Sequence, residues 1–135
     1  MGNRRSFMMK MAKGMAATSL VAVANQVNAR EIPMGKTFVH HVFFWLKDPK
    51  NIEDRNAFEN GLHALVKVPL VQSYHIGTPV VSSREVVDDS FTYSYIAFFK
   101  NEADQNIYQT HAIHLKFIED CQHLWEKVIV YDAMN

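Results

Sequence analysis

The order of periodicities along the chain predicts an α+β domain of the ferredoxin-like type, βαββαβ with one antiparallel sheet. Three observations carry that expectation. Four short runs rich in β-branched and aromatic residues read as strands. Two amphipathic stretches, each opened by an asparagine in capping position, read as helices and fall between the strands in that order. The first strand is apolar on both alternating faces, so both faces must be covered.

The chain begins with "MGNRRSFMMKMAKGMAATSLVAVANQVNA", basic at first, then weakly apolar from Met15 to Ala24, then ending in small residues. Residues 1–29 therefore read as an export signal, with cleavage before Arg30. "NRRSFMMK" resembles the twin-arginine type, with Arg4 and Arg5 paired, Phe7 two positions on and then Lys10. An ordinary secretory signal containing Arg-Arg is the alternative. The apolar run is too short and too rich in Ala to be a good spanning helix. Residues 30–36 read as a linker, and 37–135 as one domain. The expected location is periplasmic or secreted, with no membrane attachment after signal removal.

"TFVHHVFFWLK", residues 37–47, is the first strand, stopped by "DPKN". Phe38, His40, Val42, Phe44 and Leu46 share one face; Val39, His41, Phe43 and Trp45 share the other. The first helix runs from Ile52 to Val66, with Asn51 as N-cap and Asp54 at the third helical position. Ala57, Phe58, Gly61, Leu62, Leu65 and Val66 form its apolar stripe. "VQSYHIGTPVV" is the second strand, where Gly77 and Pro79 point to a bulge or a sheet edge. "SSREVVDDS" is a loop, and "FTYSYIAFFK" the third strand, with Tyr93, Tyr95, Ala97 and Phe99 on one face. Asn101 caps the second helix, which is expected to run to Trp125 with a bend near His111. "EKVIVYDA" is the last strand.

Both helices on one side of the sheet would leave its other side bare. A domain of this size covers such a face most economically with a second copy of itself. A homodimer packed sheet to sheet is expected, with a cavity where the sheets meet. The 14 basic and 14 acidic residues balance, but four of the basic ones lie in the first 29 residues, where there is no acid. The rest carries a formal −4 with His neutral, which gives no electrostatic reason to hold nucleic acid or an anionic membrane. The single cysteine, Cys121, cannot form an internal disulfide and reads as a buried structural thiol.

"YQTHAIH" sets Tyr108, His111 and His114 at three-residue spacing. An imidazole can take up and return a proton near neutral pH, and a phenol can hydrogen-bond a developing enolate. On an unbroken helix the six residues from Tyr108 to His114 leave them about 240° apart, so the pair converges only across a break. The competing reading packs Tyr108 and His111 under the sheet and gives His114 one buried hydrogen bond. His111 and His114 could also share a metal. Their spacing differs from His-Glu-x-x-His sites, and a third ligand would have to come from His40, His41 or His75. No metal and no cofactor is assigned. His40 and His41 face opposite ways, and only one lines a cavity. His40 is selected, while His41 is expected under the helices or near their ends. The aromatics Phe43, Phe44, Trp45, Tyr93, Tyr95, Phe98 and Phe99 serve core, dimer contact or an apolar ligand pocket.

From Phe38 to Asp132 the chain resembles the stress-responsive A/B barrel family, the dimeric α+β barrel or Dabb proteins. The markers are His40 and Lys47 on the first strand, then Leu62, Leu65, Pro69 and Gly77. The most specific is "YQTHAIH" against Tyr-x-x-His-Pro-x-His, followed by "VYD" against Val-x-Asp. Ala112 stands where the family has Pro, which predicts a smoother helix there and a shift of His111 relative to His114. The resemblance implies a fold similar to cofactor-free monooxygenases acting on polycyclic phenols. Some family members are stress-induced plant proteins, and others are polyketide cyclases. In those cyclases the residues matching Tyr108 and His114 do acid-base work, with the match of His40 nearby. The resemblance thus implies His114, Tyr108 and His40 as catalytic residues. His111, which matches the family motif, and Phe44 and Tyr95 from the aromatic set are the candidate ligand contacts. Two functions stay open: a cofactor-independent enzyme acting on an apolar carbonyl or phenolic compound, or a non-catalytic stress-responsive dimer that holds a hydrophobic small molecule.

Overall fold

A computed structural model describes residues 35–135. The expected signal, residues 1–29, and most of the expected linker lie outside the described residues. The elements follow the predicted order: β1 (Phe38–Leu46), α1 (Ile52–Leu65), β2 (Ser73–Gly77), β3 (Tyr93–Phe99), α2 (Glu102–Thr110), α3 (Ala112–Cys121), a 3-10 turn (Gln122–Leu124) and β4 (Trp125–Met134). The sheet is antiparallel in the order β2-β3-β1-β4, a ferredoxin-like α+β arrangement. β2 is an edge strand, shorter than expected. It ends at Gly77, before Pro79, which has no N–H to donate to a ladder.

Both asparagine caps form. Asn51 Oδ1 accepts from the Asp54 N–H at 3.1 Å, and Asn101 Oδ1 accepts from the Asp104 N–H at 2.8 Å. Each satisfies a donor that the first helical turn leaves unpaired. The second helix departs from expectation in two ways. It stops at Thr110 and restarts at Ala112, and Trp125 belongs to β4 rather than to a helix. His111 lies between the two helices in an extended conformation, φ −64° and ψ 142°. Its ring Nδ1 accepts from the Ile113 N–H at 3.1 Å. The break therefore forms without a proline at position 112, because His111 itself serves as the N-cap of α3.

The helices lie on one side of the sheet. Phe38, His40, Val42, Phe44 and Leu46 of β1 and Tyr93, Tyr95, Ala97 and Phe99 of β3 are buried beneath them. Phe58, Leu62 and Leu65 of α1, Tyr108 of α2 and Phe117 and Cys121 of α3 complete this core. α1 and α3 approach closely at Gly61, where a Cβ would collide with Cys121 Sγ. Among the described residues nothing covers the other side of the sheet. It carries Phe43, Phe91, Ile129 and Tyr131, and His41, which corrects the expectation that this ring lies under the helices. His41 Nε2 lies 2.8 Å from Ser94 Oγ on the neighbouring strand.

Candidate functional site

β1 supplies the first component. His40 faces the helices at 4% exposure, and its Nδ1 lies 2.6 Å from Oδ1 of Asp132, its partner across the β1–β4 ladder. A carboxylate only accepts, so the shared hydrogen sits on Nδ1 and Nε2 is the atom left free. The second component is a pair of phenols. Tyr95 on β3 and Tyr108 on α2 are both buried, with their oxygens 3.0 Å apart. One O–H is used between them, and one remains for a third group. Burial pushes Tyr95 up to about 12, with the bond to Tyr108 tempering the rise. Burial raises Tyr108 further still, and Tyr95 beside it adds to the effect. Both are therefore uncharged at neutral pH, able to donate a hydrogen bond but not to serve as bases.

The third component depends on the break at His111. Because the chain changes direction there, His114 in the first turn of α3 returns toward α2, and its ring centroid lies 4.8 Å from that of Tyr108. The ring of His40 lies 5.8 Å from that of Tyr108. Among the described residues His114 Nδ1 is buried with no hydrogen-bond partner. Burial lowers its affinity for protons, the nearby His40 lowers it further, and the Gln109 backbone carbonyl opposes both.

These groups meet at one end of a cavity of about 180 Å³. His40, Tyr95, Tyr108, Gln109 and His114 form the polar end. Val42, Phe44, Phe117, Ile118 and Trp125 form apolar walls, and Val128 and Val130 of β4 line the mouth. The cavity lies between the helices and the sheet of a single chain. The residues expected to line a cavity where two sheets meet therefore line one inside a single chain. Of the six residues singled out from the sequence, His40, Phe44, Tyr95, Tyr108 and His114 line it. His111 does not; its ring nitrogen is occupied in capping α3. Among the described residues no three His, Cys, Asp or Glu side chains converge as metal ligands.

Two polar residues of this site were not singled out from the sequence. Asp132 appeared only as part of the "VYD" marker, because its role depends on the β1–β4 register that sets it opposite His40. Gln109 carried no signal at all, since it reaches the cavity only where α2 ends.

The family model "Stress responsive A/B Barrel Domain" matches residues 38–135. No curated protein matches the chain. Among solved structures it is similar to a Dabb family protein with a ferredoxin-like fold from Mesorhizobium loti, at 18% identity and a TM-score of 0.61, over 73% of this chain and 95% of that one. A dimeric ferredoxin-like protein of unknown function from Thermobifida fusca matches at 14% identity and a TM-score of 0.61, over 81% of this chain and all of that one. A hydroxynitrile lyase from Passiflora edulis matches at 21% identity and a TM-score of 0.64, over 73% of this chain and 93% of that one. At these identities the solved structures speak for the fold alone, while the family model spans the whole described domain. The chain belongs to the stress-responsive A/B barrel domain family.

Proposed function

We propose that the chain is a small cofactor-independent enzyme that performs acid-base chemistry on an apolar carbonyl or phenolic compound, as a homodimer on the exported side of the cell membrane. The observation that carries this reading is the convergence of His114 and Tyr108 in one cavity across the break at His111. His114, held neutral, takes a proton from the carbon next to a substrate carbonyl. The C–H electron pair forms the new C=C bond, and the carbonyl π pair moves onto oxygen. The free O–H of the Tyr95–Tyr108 pair donates to that oxygen, where uncharged donors in a dry site stabilise developing charge most effectively. His40, oriented by Asp132, holds the substrate through Nε2. The proton on His114 then returns to substrate, so the cycle balances with no external oxidant or reductant.

Three further observations support the reading. A hydroxynitrile lyase shares this fold. The dimeric neighbours and the uncovered apolar sheet face support a homodimer. The basic-then-apolar stretch at residues 1–29 supports export. The test is exchange of α-hydrogen for deuterium in a panel of aryl ketones in heavy water, followed by mass spectrometry. The wild type is expected to catalyse exchange, and His114→Ala to lose about 10²–10⁴ of the rate. Equal rates in the two proteins would remove His114 as the base. Binding without exchange would favour a non-catalytic dimer that holds a hydrophobic molecule.

A further inference from the structure

The face of the sheet turned away from the helices carries a second cavity, of about 180 Å³. β1 contributes Phe43 and Trp45, β4 contributes Ile129 and Tyr131, and the loop leading into β3 contributes Phe91. The Phe91 and Tyr131 rings stand edge-on to that of Phe43, with centroids 5.0 Å and 6.1 Å away. An apolar cavity of about 150 Å³ is enough for benzene, so this one has room for a single aromatic ring. The loop is held to β1 by the chain's own hydrogen bonds. Trp45 Nε1–H donates to Ser90 Oγ at 3.2 Å, and the Thr92 N–H donates to the Phe44 carbonyl at 2.8 Å. Thr92 Oγ1 in turn accepts from the Leu46 N–H at 3.0 Å. A cavity formed before binding loses little to ordering when a ligand enters.

Two groups of opposite charge, Asp88 and Lys127, also line this cavity. Lys127 Nζ lies over the Trp45 ring, 4.5 Å from its centroid. Ser90, through its hydroxyl and then its N–H, lowers the proton affinity of Asp88 below the ordinary carboxylate value, and Lys127 adds to the effect. Asp88 is therefore a carboxylate at neutral pH. The two charges do not pair with each other: among the described residues the ion pairs are His40–Asp132 and Lys116–Asp120. A ligand that carries both charges answers both groups at once. We propose that this cavity binds an aromatic zwitterion of the size of an aromatic amino acid. Its ring rests against Phe43, Phe91 and Tyr131, its carboxylate meets Lys127 and its ammonium meets Asp88. The site lies on the opposite face of the sheet from His114 and does not depend on the chemistry proposed there.

The two tryptophans of the chain make the test direct, since Trp45 lines this cavity and Trp125 the other. Their indole N–H signals in a nitrogen-edited NMR spectrum report the two cavities separately. L-Phenylalanine is expected to move the Trp45 signal saturably and to leave that of Trp125 in place. Hydrocinnamate, which lacks the ammonium, and phenethylamine, which lacks the carboxylate, are expected to bind about two- to five-fold more weakly, the range for an exposed ion pair. Asp88→Asn is expected to abolish the preference for phenylalanine over hydrocinnamate, and Lys127→Met the preference over phenethylamine. Both positions are exposed, so the fold tolerates the changes. Equal affinity for the three compounds in the wild type, or preferences that survive in both variants, would overturn the proposal. So would a Trp45 signal that none of them moves, as when a second copy fills the cavity with its own side chains. The deuterium-exchange test of His114 is read on the other face of the sheet and is unaffected by either result.

Discussion

His114 and Asp132 show how much of the proposed chemistry depends on single atoms. His114 loses proton affinity first to burial and then to His40, so its neutral form persists below its ordinary value of 6.5. If that neutral ring is the base, kcat/KM falls on the acid side along a limb that lies below pH 6.5. In His114→Ala the residual activity is expected to lack this limb; its persistence would assign it to another group. Asp132 acts through His40, since it fixes which ring nitrogen carries the hydrogen. Asp132→Asn can still hydrogen-bond the ring but permits the other tautomer. It is expected to raise KM more than it lowers kcat, because in the proposed mechanism His40 holds substrate and does not move the proton. A fall in kcat alone would contradict that division of roles. The role of Asp132 could not be read from its own neighbourhood in the chain, because 92 positions separate it from His40.

At the level of elements, the break at His111 decides whether a site exists. The sequence expectation tied the break to a proline, and Ala112 in its place argued for a smoother helix. The observed geometry shows a histidine side chain doing the same work. Position 112 is nonetheless suited to proline. It is the first residue of α3, it follows an extended residue, and its N–H makes no backbone bond among those formed at the turn. Ala112→Pro is therefore expected to stabilise the fold by about 0.4–1 kcal/mol through the unfolded chain, seen as a higher urea midpoint at unchanged m-value. His111→Ala is expected to cost about 0.5–2 kcal/mol by removing the cap. A second element contact makes the opposite prediction for a change that usually helps helices. Gly61→Ala in α1 should destabilise by about 1–3 kcal/mol, because the new methyl meets Cys121 Sγ and the Phe117 ring. Pairing it with Cys121→Ala should recover part of the loss. A stabilised Gly61→Ala single variant would mean the two helices can separate at no cost.

Over the whole molecule, burial of neutral histidines links stability to pH. Both His41 and His114 bind protons less readily in the folded chain than at the ordinary value of 6.5. For His41 the causes are burial, then His75, then His40. The unfolded chain therefore takes up protons first as pH falls. Stability is complete above pH 6.5 and declines below it toward the depressed folded values. The urea midpoint at a fixed protein concentration is expected to be lower at about pH 5.5 than at about pH 7.5, where carboxylates are still ionised. An unchanged midpoint would mean that both rings take up protons in the folded state as freely as in the unfolded one.

The element order, the two asparagine caps and the buried face of β1 were legible because each follows from local rules. Alternation marks a strand, a 3.6-residue stripe marks a helix, and a short polar side chain satisfies the N–H groups that begin it. "YQTHAIH" marked the right region of the chain for the same reason, as did His40, whose face on the strand follows from parity alone. Three features needed the folded chain: the break at His111, the cavity between helices and sheet, and the His40–Asp132 pair. Each depends on where a residue is brought by contacts with distant ones. A helix of that length has no local signal that its histidine will cap rather than continue it. A strand's alternation likewise says which residues share a face but not what lies opposite, since register is set by the pairing of whole strands across the sheet.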